Sequence, residues 1–124
     1  MKVKNIRITI KSTEEFLEEA NDTMKEIMAG EKIFSKKGLY FENLSTMRKA
    51  LTPKRLELLH AIKEKRPKSM YELAKLTNRD LKNVIQDLAF LERLGLVELK
   101  KNKDKRAKGT PSVEYDKILL EIAV

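Results

Sequence analysis

The chain has 124 residues, enough for one domain with an appended element and too few for two full domains. Hydrophobic residues make up 41% and charged residues 37%, a composition that supports a packed core and excludes a disordered chain. The net charge of +8 favours an anionic partner, nucleic acid ahead of an acidic membrane surface, and the absence of cysteine excludes disulfides, thiolate metal sites and cysteine nucleophiles.

The N-terminal segment, residues 1–50, opens with a strand pattern and then a helix pattern. β-Branched residues alternate with polar ones from Ile6 to Ile10, which predicts a strand. Ser12 with Glu15 is a capping box, which predicts a helix over residues 13–29. One face of this helix is acidic and would be repelled by phosphates, so we expect the helix to point away from any nucleic acid. Its apolar stripe is expected to pack on the body of the protein or on a second subunit. Because the stripe and the strand offer more apolar surface than a small winged domain needs, we expect a dimer. The stripe consists of Phe16, Ala20, Met24, Ile27 and Met28.

Two further elements are predicted before residue 52. Residues 39–41 are apolar and aromatic, and they predict a short strand that pairs with residues 3–10. Phe41, Leu44, Met47 and Leu51 then recur at helical spacing, which predicts a helix.

Capping signals mark three consecutive helices in the second half of the chain. The three starts are marked by Thr52 with Pro53, Ser69 with Glu72, and Thr77 with Asp80. Pro67 follows the end of the first helix, and Gly95 ends the third, which covers about residues 78–94. The residues expected to face the core are Leu56, Leu58, Leu59, Ile62, Tyr71, Leu73, Ala74, Leu81, Val84, Ile85, Leu88 and Leu91.

The third helix is followed by a hairpin pattern. A strand over residues 96–99, a loop rich in lysine and a strand over residues 112–122 are predicted. Helix, helix, short turn, helix and hairpin is the order of a winged helix-turn-helix. We therefore expect an α+β fold, with a strand–helix extension over residues 1–50 that dimerises and a winged helix-turn-helix domain over residues 51–124.

The polar face of the third helix carries side chains suited to reading DNA bases. Arg79, Lys82, Asn83 and Gln86 are expected opposite the apolar stripe, near the end of the helix that reaches the major groove. Arginine pairs bidentately with guanine, and asparagine or glutamine pairs with adenine, although all four residue types can also bind phosphates. Asp87 would oppose phosphates mildly. An ordinary solvated helix face is the alternative.

The loop between the two hairpin strands is the strongest electrostatic feature. Its basic residues are Lys100, Lys101, Lys103, Lys105, Arg106 and Lys108, against Asp104 alone. Along a duplex, such a loop displaces counterions and adds affinity that does not depend on base sequence. The alternatives are a solubilising loop or an anchor on anionic lipid. Lys54, Arg55 and Lys68, at the starts of two helices, are expected to add weaker backbone contacts.

Catalysis has little support in the sequence. His60 is the only histidine, and we expect it to be a partly buried structural residue. There is no glycine-rich phosphate loop and no histidine pair with metal-ligand spacing. We therefore expect no enzyme activity, cofactor or metal. Because no apolar run approaches the ~20 residues of a membrane span and the first residues lack a signal-peptide apolar region, we expect a cytoplasmic protein without membrane contact.

Several short motifs resemble those of a known family. The motifs are FENL (41–44), LTPKR (51–55), YELAK (71–75), NRDLKNV (78–84) and LERLGLV (91–97). They are similar to those of a prokaryotic, notably archaeal, family of small predicted winged-helix transcriptional regulators, related in architecture to the MarR and ArsR groups. The resemblance implies sequence-specific double-stranded DNA binding, usually by a homodimer, with Arg79, Lys82, Asn83 and Gln86 in recognition positions. Some members of that family resemble antitoxins that bind a toxin.

Two rival functions stay open at this point. The first is an antitoxin-like or adaptor protein that acts mainly through a protein partner bound by the acidic N-terminal helix. The second is binding to double-stranded RNA.

Overall fold

The computed structural model describes residues 4–12, 14, 17–18, 38–101 and 108–124. The chain divides into two units: unit 1 is Met1–Ala50 with Tyr115–Val124, and unit 2 is Leu51–Glu114. This corrects the predicted second domain of residues 51–124, because its last ten residues belong to unit 1. The predicted helix over residues 13–29 lies almost entirely outside the described residues.

Unit 1 contains a three-stranded parallel sheet. Its strands are β1 (Asn5–Ile10), β2 (Gly38–Phe41) and β5 (Lys117–Ile122), in the order β2-β1-β5. The predicted pairing of residues 39–41 with the first strand is present, with Ile8 beside Leu39. On the other side of β1, Ile8 lies beside Leu120. The β-branched pattern of β1 therefore forms the middle of the sheet, and Ile8 is buried.

The helix predicted before Thr52 is α1 (Leu44–Ala50). Asn43 caps it, because the backbone N–H of Thr46 donates to Asn43 Oδ1 at 2.8 Å. Arg48 and Lys49 lie in the last turn, where positive charge is favourable against the helix dipole.

Unit 2 begins with three helices: α2 (Pro53–Lys65), α3 (Met70–Thr77) and α4 (Leu81–Arg93). Two of the predicted caps are present. The backbone N–H of Arg55 donates to Thr52 Oγ1 at 3.2 Å, and that of Glu72 donates to Ser69 Oγ at 3.0 Å. The third predicted cap is wrong, because Thr77 is the last residue of α3.

The N-cap of α4 is Asp80, whose side chain accepts from the backbone N–H of Lys82. The Thr77 hydroxyl instead donates to the Leu73 carbonyl, 2.8 Å away, one turn back along α3. Between the two helices Asn78 adopts a left-handed conformation with φ of 53°, which asparagine tolerates better than most residues. The turn is therefore only three residues long.

The core of unit 2 is narrower than the sequence predicts. It is formed by Leu58, Leu59, Ile62, Leu73, Ala74, Val84, Leu88, Leu91, Leu96 and Val97. Four residues predicted to face inward are exposed instead: Leu56 (44%), Tyr71 (58%), Leu81 (36%) and Ile85 (41%). On α4 the buried residues Val84, Leu88 and Leu91 follow i, i+4 and i+7 spacing, so Ile85 falls outside the stripe that contacts the other helices.

An antiparallel hairpin follows α4. Gly95 has φ of +78°, a conformation that suits glycine, and it leads into β3 (Glu98–Lys101), which pairs with β4 (Lys108–Ser112). The Thr110 hydroxyl donates to the Lys68 carbonyl at 2.9 Å, which ties β4 to the start of α3. The predicted continuous strand over residues 112–122 is wrong: β4 ends at Ser112, and β5 pairs with β1 in unit 1.

Candidate nucleic-acid interface

The first two turns of α4 present a mixed polar and apolar surface. Lys82, Asn83 and Gln86 are exposed, as predicted. Leu81 and Ile85 are exposed beside them, although the sequence pattern predicts that both are buried. On the side of the helix away from Lys82 and Gln86, Val84 and Leu88 are fully buried and anchor α4 in the core. We call these five residues (Leu81, Lys82, Asn83, Ile85 and Gln86) the α4 face.

Arg79 does not belong to this face. It precedes the N-cap of α4, and its Nη2 lies 2.7 Å from Asp87 Oδ2. Its side chain is only 14% exposed, and its backbone N–H donates to the Ala74 carbonyl at 2.9 Å. The prediction that Arg79 projects freely beside Lys82 is therefore wrong, because the acid in the second turn of α4 holds its guanidinium.

Asp87 is held by a second arginine. Arg55 of α2 places Nε 3.1 Å from Asp87 Oδ1, and the two side chains are 20% and 18% exposed. The Arg55 guanidinium also stacks on Phe90, with its central carbon 4.0 Å from the ring centroid. We call Arg55, Arg79 and Asp87 the arginine–aspartate cluster. Its formal charge is positive, so Asp87 is not the isolated anion that the sequence suggests.

Within the described residues, Arg79 Nη1 is buried and has no hydrogen-bond partner. Buried polar atoms without partners are costly, and Arg79 therefore depends on its bond to Asp87. The cluster links the middle of the α3–α4 turn, the second turn of α4 and the start of α2. It fixes where the α4 face begins.

The hairpin carries the second group of predicted residues. Lys100 and Lys101 lie on β3, and Lys100 Nζ lies 3.3 Å from Glu114 Oε1. Both side chains of that pair are more than half exposed, so its free energy is small. Lys108 begins β4 and pairs in register with Lys101. Lys103, Lys105 and Arg106 lie outside the described residues.

The remaining predicted residues are spread over the helix starts. Lys54 and Lys68 lie near the N-termini of α2 and α3 and are exposed, whereas Arg55 is engaged in the cluster. His60 is not partly buried as predicted: its side chain is 76% exposed and lies 4.0 Å from Glu64. In the described part of the chain, no three metal-ligating side chains come together and no helix is suited to cross a bilayer.

The signals for these differences vary. The spacing of Val84, Leu88 and Leu91 places Ile85 beside the buried stripe, whereas Leu81 lies on the line of Leu88 and nothing in the sequence signals that it is exposed. Nothing in the sequence links Arg55 to Asp87, which are 32 positions apart. The acidic helix on which the adaptor hypothesis depends lies almost wholly outside the described residues.

These features define an α+β protein in which a rigid helix presents a polar face and an antiparallel hairpin carries basic residues. The HVO_A0114 family model matches residues 50–120, more than half of the chain, and the chain belongs to this family. The match covers all of α2, α3, α4 and the hairpin. No curated protein matches the chain.

Proposed function

We propose that this protein is a sequence-specific, double-stranded DNA-binding transcriptional regulator. In this proposal unit 2 is a winged helix-turn-helix, α4 lies in the major groove, and the hairpin is the wing. One observation carries the proposal: Lys82, Asn83 and Gln86 are exposed on the N-terminal half of a helix that is anchored from behind and follows α3 after a three-residue turn. Recognition helices of this kind contact base edges with their N-terminal residues.

The chemistry of the α4 face favours particular bases. Asn83 and Gln86 have the amide groups that pair bidentately with adenine, and Lys82 suits guanine. The exposed Leu81 and Ile85 suit the methyl group of thymine, an apolar contact in the same groove. Adenine and thymine are partners in one base pair, so the face favours A·T pairs in the part of the operator that α4 contacts. Arg79 supports this face from the cluster and is not assigned to a base.

Phosphate contacts come from the basic residues around the helix. Lys54 and Lys68 lie near the starts of two helices, where positive side chains and helix N-termini both attract phosphate. The wing residues are Lys100, Lys101, Lys103, Lys105, Arg106 and Lys108. These contacts release counterions and position α4 without selecting a base sequence.

The test begins with selection of genomic DNA fragments bound by the full chain. The preferred fragment and a scrambled duplex are then compared by fluorescence anisotropy. Replacing Asn83 and Gln86 together with alanine removes about 1–3 kcal/mol of discrimination for each residue. The matched control is His60→Ala, an exposed polar residue of α2 that lies outside the α4 face. Unchanged preference for the selected fragment in the double variant contradicts the proposal.

The wing is tested separately by its salt dependence. Lys100→Gln with Lys101→Gln weakens binding to both duplexes alike and lowers the slope of log affinity against log salt by about 1 for each phosphate that is no longer neutralised. An unaltered slope removes the wing from the interface. A duplex RNA of the same sequence, used as competitor, distinguishes the RNA hypothesis, because displacement of the DNA by equal amounts of RNA contradicts major-groove reading.

A further inference from the structure

The edge strand β5 exposes apolar side chains on both of its faces. Leu119, Leu120 and Ile122 are 39%, 47% and 48% exposed. Residues that alternate along a strand point to opposite faces, so Leu119 lies on one face and the other two lie on the opposite face. An edge strand of this composition, without proline and with only one charge between its ends, invites pairing with another strand.

The register of the sheet places apolar side chains on one face of β1 and β5 and charged side chains on the other. Ile6, Ile8 and Ile10 of β1 lie beside Ile118, Leu120 and Ile122 of β5, and this face of the two strands is wholly apolar. The opposite face carries Lys117 and Glu121 on either side of Leu119. Any partner strand that extends the sheet has to continue this division into an apolar and a charged face.

Among the described strands, β5 is the long edge that is open. β1 is paired on both sides, so its backbone offers no free edge to a further strand. β2, at the other edge, has four residues against six in β5. The strand that offers an apolar edge of useful length is therefore the C-terminal one.

We propose that β5 pairs antiparallel with β5 of a second copy of this chain, so that two three-stranded sheets join into one sheet of six strands. A two-fold axis perpendicular to the sheet passes beside Leu119. Around this axis Leu119 faces its own copy, and Ile118 faces Leu120. The apolar face of one copy continues into the apolar face of the other.

Charge complementarity selects both the occupant and the register. With Leu119 on the axis, Lys117 of each copy stands directly opposite Glu121 of the other, which gives two identical cross-strand ion pairs. Shifting the register by two residues keeps the faces together but loses both pairs. Both residues are exposed, and the bond that Glu121 accepts from Thr9 is long, at 3.5 Å, so it does not hold the carboxylate.

The first experiment exploits the absence of cysteine from the chain. Leu119→Cys places two thiols beside the axis, where directly opposite Cα atoms are about 4.5–5.5 Å apart, within reach of a disulfide. The matched control is Ile122→Cys, which is similarly exposed but lies about 20 Å from its own copy, six residue positions along the two strands. The proposal expects a covalent dimer under mild oxidation for Leu119→Cys and none for the control. Equal cross-linking of both variants, or of neither, overturns it.

The second experiment tests the ion pairs by analytical ultracentrifugation of the full chain. Lys117→Glu alone or Glu121→Lys alone raises the dimer dissociation constant by about ten-fold or more, because two attractions become two repulsions. The double variant restores dimerisation, and an equimolar mixture of the two single variants forms heterodimers. Arg48→Glu, a charge reversal on α1, is the control and leaves the constant unchanged.

Circular dichroism confirms that each variant is folded. A monomeric wild-type chain at micromolar concentration, or single variants that dimerise as well as the wild type, overturns the proposal. The inference does not depend on DNA binding, since every readout is obtained without DNA. If the cross-linking and ultracentrifugation tests fail, the proposed function of unit 2 is unaffected. If the DNA-binding tests fail, the β5 dimer is unaffected.

Discussion

Replacing Asp87 with alanine is the most direct test of how α4 is positioned. The variant leaves Arg79 and Arg55 without the carboxylate that holds them, and both guanidinium groups are largely buried. Hydrogen bonds to charged groups contribute about 1.5–3 kcal/mol each, so two such bonds set an upper range of about 3–6 kcal/mol. Two effects reduce this range. The cluster is partly open to water, which weakens its ion pairs, and alanine has a higher helix propensity than aspartate by about 0.5 kcal/mol. We therefore expect a loss of about 3 kcal/mol in the free energy of unfolding.

Urea unfolding followed by circular dichroism measures this loss. With a slope of about 1–3 kcal/mol per molar urea, the midpoint falls by about 1–3 M. Gln86→Ala is the matched control, since this exposed neighbour on the same helix changes stability by about 0.5 kcal/mol or less. A double-mutant cycle with Arg79→Ala gives a coupling energy of about 1–3 kcal/mol. If Asp87→Ala unfolds at the same urea concentration as Gln86→Ala, or if the coupling is zero, the cluster does not stabilise α4.

Three further predictions concern a turn, a cap and a half-buried tyrosine. Gly95→Ala lowers the free energy of unfolding by about 1–2 kcal/mol, because φ is +78°. This cost comes from the backbone alone, since no atom lies within 4 Å of the added Cβ. Gly95→Asn, measured in the same urea titration, lowers the free energy of unfolding by less. Ser69→Ala costs about 1 kcal/mol, since the N-terminus of α3 loses its cap, and Ser69→Thr retains most of this free energy. Burial raises the pKa of Tyr115 from 10.0 to about 12. As pH rises, the Tyr115 hydroxyl loses its proton in the unfolded chain before it does in the folded chain, so stability falls between about pH 10 and 12. Ultraviolet titration detects the transition of Tyr115 near pH 12, and this transition must be absent in Tyr115→Phe.

Local signals account for most of the fold of unit 2. Thr52, Ser69 and Gly95 mark element ends through their own backbone and side-chain chemistry, which acts over three or four residues. For this reason the positions of α2, α3 and the end of α4 are predictable from the sequence. Thr77 resembles a cap equally well, but its hydroxyl bonds backwards into α3, and Asp80 takes its place.

Features set by distant residues are not predictable in this way. Whether Leu81 faces the core or water depends on which neighbouring helix lies against α4, and the sequence does not contain this information. The position of Arg79 depends on Asp87 and, through it, on Arg55 of another helix. Of the α4 face, the sequence predicts the polar members and not the apolar ones. It also predicts strand residues between 112 and 122, but not their division into β4 and β5 or the pairing of β5 with β1, because parallel pairing with β1 joins residues that are distant in sequence.

The parallel pairing of β1 with β5 has a consequence for how this chain folds. Thr9 and Glu121 meet in the sheet although they are 112 positions apart, and the whole of unit 2 lies in the loop that their contact closes. Closing so long a loop in an unstructured chain is entropically unfavourable, and contacts of high sequence separation slow folding. Unit 2 is contiguous and rich in short-range contacts, so we expect it to form first and to shorten the effective loop. The sheet then closes last, and in native-state hydrogen exchange its amides are expected to open before those of the three helices.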